Sequence, residues 1–253
     1  MDWSSSRKLL YGTSFFVVVL GVVIFSLRTV LFPDPTCFDN KKNGFESGID
    51  CGGTCSLRCS AEVSPLSVLW ARALPVGNNM YDIVGVIENT NINNAPKAVA
   101  YTFDIYDRGG TKIYTYSGTT TVPVDDDKPI IIQNILLQQV PNKTILTIAQ
   151  ASHYAAAEKP TSPNIKVLRS TYEAGDVPRV YVTIQNTKQT RFESVPVSVI
   201  LYDENQNAIA AGETIVPSLE REEQKALVFT WREPFTGQVA RIRPYLNADP
   251  FAK

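Results

Sequence analysis

The chain has 253 residues, with 24 Lys plus Arg against 25 Asp plus Glu, one His and four Cys. A net charge of −1 excludes a strongly basic nucleic-acid binder on electrostatic grounds. The single His leaves little material for His-based catalysis or a multi-His metal centre.

Residues 9–27, LLYGTSFFVVVLGVVIFSL, run 19 residues without a charge. At the helical rise this is roughly 28 Å, close to the hydrocarbon thickness of a bilayer. Thr29, Val30, Leu31 and Phe32 extend the apolar character, Arg28 is placed to snorkel, and Pro33 and Pro35 end the helix. The sequence therefore predicts a cytoplasmic tail over 1–8 and a transmembrane helix over 9–32. A cleaved signal peptide needs an apolar core of about 7–15 residues and a small-residue cleavage site. This core is longer, and SLRTVLFPDP has no such site. Arg7 and Lys8 before the run favour a cytoplasmic N-terminus, with the C-terminal domains outside the cell membrane.

Residues 33–63 form a cysteine-rich segment, holding Cys37, Cys51, Cys55 and Cys59 within 23 residues. The C-x13-C-x3-C-x3-C spacing has no paired C-x2-C framework and no neighbouring His, so zinc fits poorly. Two disulfides in an oxidising compartment are expected, with three pairings open. Asp39, Asn40, Asn43, Glu46 and Asp50 alternate with glycines, and two readings compete for them. Hard cations such as Ca²⁺ take six to eight oxygen ligands from flexible loops of this kind. Asp and Asn also build side-chain turns beside glycines at positive φ. The stretch TCFDNKKNGFESGIDCGGTC resembles a short cysteine motif, T-C-x-D-x-x-x-N-G-x-E-x-G-x-D-C-G-G-x-C, of secreted and surface proteins, mainly bacterial. The resemblance implies an extracytoplasmic location and no particular activity.

From Ser64 onward Val, Ile, Thr and Tyr dominate, and helical periodicity is scarce. Val99, Tyr101, Phe103 and Ile105 alternate with smaller or polar residues, as do Val195, Val197, Val199 and Leu201, the pattern of half-buried strands. Each run enters a polar hairpin turn. The similarity repeats at an offset of 94–97 residues: IENT at 87–90 with IQNT at 184–187, FDIYD at 103–107 with VILYD at 199–203, Val122-Pro123 with Val216-Pro217, and 130–132 with 226–229. Two tandem β-sandwiches are predicted, over 64–151 and 164–253, joined by a linker or short helical turn over 152–163. FDIYD and VILYD are similar to the core motif of FxLYD-type domains, although Val199 stands where that motif has Phe. This resemblance implies immunoglobulin-like sandwiches on bacterial envelope proteins, behind a single anchor. The fold expected is thus an all-β ectodomain behind one helix and a disulfide-rich segment.

No nucleophile elbow, P-loop or dinucleotide fingerprint occurs. His153 reads as an exposed linker residue. Asp125, Asp126 and Asp127 read as a loop, matched by the charged run 220–223 in the second copy. Trp70 and Trp231 fall in strands and read as core, whereas Tyr114 and Tyr116 share one face and read as exposed contact residues. The expectation is a non-catalytic envelope protein whose sandwiches act as spacer or binding modules. It would have the membrane and a protein partner as neighbours, no nucleic acid, and Ca²⁺ as its one candidate cofactor. The alternative is an accessory subunit of a secretion or pilus assembly that contacts partners partly through its helix.

Overall fold

The computed structural model describes residues 3–31, 37–157 and 164–246. It divides into two compact units, Met1–Cys55 and Ser56–Lys253.

The first unit opens with helix α1, Trp3–Leu31, so the helix continues back through most of the expected tail. Its segment Leu10–Arg28 is 19 residues long and apolar enough to cross a bilayer. Leu10, Phe15, Phe16, Val18 and Phe25 are all exposed, so the helix is apolar around its circumference with no single buried stripe. That is the pattern of a helix that meets lipid on every side. The Thr13 hydroxyl donates to the Leu10 carbonyl at 3.1 Å, satisfying a polar group in the apolar run. Residues 37–55 follow as a disulfide-linked loop.

Among the described residues, the second unit holds fifteen strands. In chain order they are β1 (Leu57–Cys59), β2 (Ser67–Gly77), β3 (Met80–Asn89), β4 (Asn94–Ala95), β5 (Val99–Tyr106), β6 (Lys112–Thr120), β7 (Asp126–Leu136) and β8 (Lys143–Ile148). There follow β9 (His153–Ala156), β10 (Ile165–Glu173), β11 (Arg179–Asn186), β12 (Phe192–Tyr202), β13 (Ala208–Leu219), β14 (Gln224–Thr230) and β15 (Arg241–Leu246). They form five three-stranded sheets. Sheets β2-β3-β7 and β6-β5-β8 make a first module, and β10-β11-β14 and β13-β12-β15 make a second. The six strands of one are reproduced in order by those of the other, so the repeat in the sequence is a repeat of topology. The fifth sheet, β1-β9-β4, adds to the first module.

Each module closes over its own core. Ile83, Ile87, Val99, Phe103, Ile105 and Leu146 fill the first. Val180, Val182, Ile184, Val197, Val199 and Leu201 fill the second. The Val-for-Phe departure at Val199 has a partner. Strand pairing makes Gly85 of β3 the counterpart of Val182 in β11. A Cβ on Gly85 would lie 2.9 Å from the Phe103 ring and 2.6 Å from Leu146. One module fills this space with Phe and Gly, the other with two Val, which conserves volume.

A second repeated device sits at the ends of β3 and β11. Asn89 is 1% exposed and its Nδ2 donates to the Asn94 and Pro123 carbonyls at 3.1 and 2.8 Å. Asn186 is 0% exposed and its Nδ2 donates to the Thr190, Leu219 and Glu220 carbonyls at 2.8, 3.2 and 3.0 Å. Each Oδ1 accepts from the backbone two residues on, at Asn91 and Lys188. This alignment corrects one sequence match. Pro123 corresponds to Glu220 and Val122 to Leu219, so the Val-Pro pairs at 122 and 216 are not equivalent positions.

The two modules are docked against each other. β5 and β11 alternate between buried and more exposed residues, as strands with one wet face do. β3 is buried continuously from Asp82 to Ile87, and β12 from Val197 to Leu201. Their outward residues meet in a third apolar cluster of Leu74, Val84 and Val86 with Ile200, Ala208, Ala211 and Tyr245. The outer face of β2-β3-β7 therefore covers the outer face of β13-β12-β15. Where the first module's free face carries Asp104, the second module's docked face carries Ile200.

The expected linker over 152–163 is in part a strand. β9 pairs with β1 and β4, and Tyr154 is 1% exposed in the first core. A phenol ring in the core and two flanking strands hold this stretch, which no composition signal revealed. Residues 158–163, where the expected hinge lies, fall outside the described residues. His153 is half-buried on β9 opposite Cys59, and not the exposed linker residue expected. Tyr114 and Tyr116 are likewise half-buried against the first core. The two tyrosines share one face of β6, as expected, and that face is the inner one.

Candidate functional site

Two places hold the residues singled out from the sequence. The first is the loop over 37–55. Its backbone turns tightly: Asn40, Gly44, Asp50, Gly52 and Gly53 all take positive φ. At Gly53 a Cβ would fall 1.7 Å from the Phe45 carbonyl oxygen, so only glycine fits. Cys37 is bonded to Cys55, with Cα atoms 5.7 Å apart, and Cys51 and Cys59 are disulfide-bonded as well. The N-terminal apolar helix and these disulfides together are those of an extracytoplasmic protein, secreted or membrane-anchored.

All five oxygen-bearing residues proposed for calcium gather in this loop. Asp50 accepts from the backbone N–H of Asp39 at 2.9 Å and of Asn40 at 2.9 Å. Glu46 accepts from the N–H of Asn43 at 3.2 Å and of Asp50 at 3.3 Å. Asp39 accepts from the Lys41 N–H at 2.9 Å and from Asn43 Nδ2 at 2.8 Å. The carboxylates thus hold the turns by capping backbone amides, the second of the two sequence readings. Asn43 Oδ1 is a buried oxygen without a hydrogen-bond partner. Cys37, Glu46 and Cys55 lie close enough to suggest a metal group. The sulfurs of Cys37 and Cys55 are joined as a disulfide, so they offer no thiolate, and the 3.5 Å approach of Cys55 Sγ to Glu46 Oε1 has no proton to share.

The second place is the junction between the modules. Arg243 of β15 donates to Asp127 of β7 at 2.5 Å, and its guanidinium lies over the Tyr245 ring at 4.7 Å. Trp70 meets Tyr202 edge-on at 6.4 Å, and Arg72 donates to Asn207 at 2.8 Å. Burial, helped by the Tyr202 hydroxyl 3.5 Å away, pushes the Tyr245 phenol well above its ordinary range. Of the acidic run expected as a loop, Asp125 is in the turn, while Asp126 and Asp127 begin β7 and Asp127 is spent on Arg243. The run 220–223 does form the matching turn, which carries the chain from β13 to β14 in the other sheet, with Glu223 accepting from the Glu220 N–H.

At the rim of this junction lies an open cavity of about 280 Å³, lined by Asp82, Asn134, Glu213, Thr230 and Arg232 with Trp231. Asp82 is 4% exposed and accepts from the Asn134 N–H at 2.9 Å. Burial raises its carboxyl above the ordinary range, against the lowering effect of that hydrogen bond. Trp231 is core, as expected, with its indole N–H donating to the Ala211 carbonyl at 3.1 Å. His153 Nδ1 lies 3.0 Å from the hydroxyl of its chain neighbour Ser152.

Sequence reasoning missed Asp82, Ile200, Arg243 and Tyr245. One signal was available: IVGVI at 83–87 of β3 holds no charged or hydrogen-bonding side chain, where β5 and β11 alternate.

Comparison with known proteins adds little. No protein-family model matches the chain, and no curated protein does. Among solved structures, the chain is similar to red sea bream transglutaminase at 12% identity and a TM-score of 0.23. That match covers 72% of this chain and spans only 30% of the enzyme's length. A likeness so weak carries no argument about fold type or activity.

Proposed function

We propose that this is a non-catalytic, single-pass membrane protein of the cell envelope. Leu10–Arg28 spans the bilayer with Arg7 and Lys8 on the cytoplasmic side, and everything from Cys37 onward lies outside. The two modules are immunoglobulin-like sandwiches that act together as one stiff spacer or binding platform. The observation that carries this reading is the apolar cluster around Val84, Val86 and Ile200, which joins the modules face to face. Tandem domains joined only by a linker move independently, whereas a desolvated contact of this kind fixes their relation. The outward faces carry residues such as Thr102, Asp104, Thr115 and Lys112, which suits display in water.

The test is accessibility in intact cells. A protease added from outside is expected to degrade residues 37–253 while the chain stays in the membrane fraction after an alkaline wash. In-cell cross-linking from Thr102 or Thr115 is expected to capture an envelope protein. Release of the modules into the medium on their own, or their protection inside the cell, would overturn the reading.

A further inference from the structure

The loop over 37–55 is built inside out. Its interior holds disulfides and carboxylates: Asp50 is 9% exposed and Cys55 is 7% exposed. Its three large apolar side chains all point outward, with Phe45 83% exposed, Phe38 74% and Ile49 54%. Lys41 and Lys42 are exposed as well, whereas Asp39, Glu46 and Asp50 are turned onto backbone amides. The outward set is therefore aromatic, aliphatic and basic, with the acidic groups withdrawn. Small disulfide-linked loops in water do not need exposed phenylalanines, because their staples supply the stability.

We infer that this loop seats on the bilayer surface, with Phe38, Phe45 and Ile49 in the interfacial layer and Lys41 and Lys42 at the anionic headgroups. The inference rests on the proposed membrane anchor. Chain length commits it to the lipid that α1 enters. Cys37 follows Leu31 by six residues, and a fully extended chain of that length reaches only roughly 22 Å. The loop is thus held within a short distance of the membrane surface wherever the five connecting residues run. Aromatic and basic residues are the types that settle at that depth. Seated in this way, the loop is a second foothold on the bilayer beside the helix.

The experiment uses the full chain in phosphatidylcholine–phosphatidylglycerol nanodiscs loaded with one chain each. Phe45→Trp and Phe38→Trp are compared with the wild type, so that the contribution of Trp3, Trp70 and Trp231 is subtracted. Since both side chains are exposed, neither substitution disturbs packing, and a thiol assay checks that the disulfides remain closed. The added indole is expected to emit at short wavelength and to lose most of its intensity when the lipids are brominated in the upper acyl chain. Water-like emission without quenching for both variants would overturn the inference, and would point to a protein as the occupant of this surface. Flotation of the wild-type chain with vesicles after an alkaline wash separates the two levels. A chain that floats but shows no quenching sinks the foothold alone, and one that does not float sinks the anchor and the foothold together.

Discussion

Arg243 and Asp127 stand 116 positions apart in sequence, yet form a 2.5 Å ion pair that ties β15 of the second module to β7 of the first. The Asp127 side chain is 14% exposed and that of Arg243 is 37% exposed, so the pair is partly desolvated. Arg243→Ala leaves the carboxylate without its partner and strips the cation from Tyr245. The expected loss is about 1–2 kcal/mol in urea unfolding, below the value for a fully buried pair. Asp127→Asn keeps the shape and is expected to cost less.

Ile200 is 0% exposed in the apolar cluster of the junction, and its counterpart on the free face of the first module is Asp104. Ile200→Asp places a charge in that cluster, where desolvation cannot be met. The expected result is undocking, with each module's own core left intact. Unfolding should change from one shared transition to two, and the Trp70 emission should shift to the red. A single transition at the wild-type midpoint would contradict the docked arrangement.

Gly85 and Phe103 form a volume pair, exchanged for Val182 and Val199 in the other module. Gly85→Val alone forces a Cβ into the Phe103 ring and is expected to cost about 1–3 kcal/mol. Phe103→Val alone leaves a cavity and costs a similar amount. The double variant reproduces the second module's solution and is expected to recover at least about 1 kcal/mol relative to the sum, as read from a double-mutant cycle in urea.

Asn89→Ala and Asn186→Ala each leave buried carbonyl groups unsatisfied and remove the acceptor that fixes the following turn. Each is expected to cost about 2–3 kcal/mol, on a different module. The equivalence of the two sites predicts similar losses, measured by urea denaturation of the same chain.

Asp82 gives a pH dependence of definite sign. Its folded-state carboxyl is raised above the ordinary 3.8 by burial, so the folded chain holds this proton more tightly than the unfolded chain. Its contribution therefore favours folding below the unfolded value and is lost as pH rises through the raised folded value. Asp82→Asn keeps an acceptor for Asn134 and removes the charge. It is expected to raise stability at neutral pH and to flatten this part of the acid-side profile, measured by thermal unfolding at stepped pH.

Much of the architecture was legible in local pattern. The uncharged run at 9–27 became α1, since only a helix satisfies its own backbone in apolar surroundings. Alternation at 99–105 and 195–201 became β5 and β12, and the offset of 94–97 became a repeated topology. Other features depended on contacts between distant segments. Tyr154 belongs to the core because β1 and β4 flank its strand, and neither lies near it in sequence. The tyrosines of β6 were placed on the wrong side because alternation names two faces and cannot tell which one meets the core.

The sequence alone determined the apolar helix, the oxidised cysteines, the β-rich remainder and its duplication, because each is set by composition or by a period of a few residues. Only the tertiary structure decided that the modules dock through Ile200, Val84 and Val86, and that the acidic loop residues cap amides. It also decided that Phe38, Phe45 and Ile49 face outward. Those outcomes depend on which surfaces meet once the strands have paired, and pairing is fixed by the summed burial of many residues far apart in the chain.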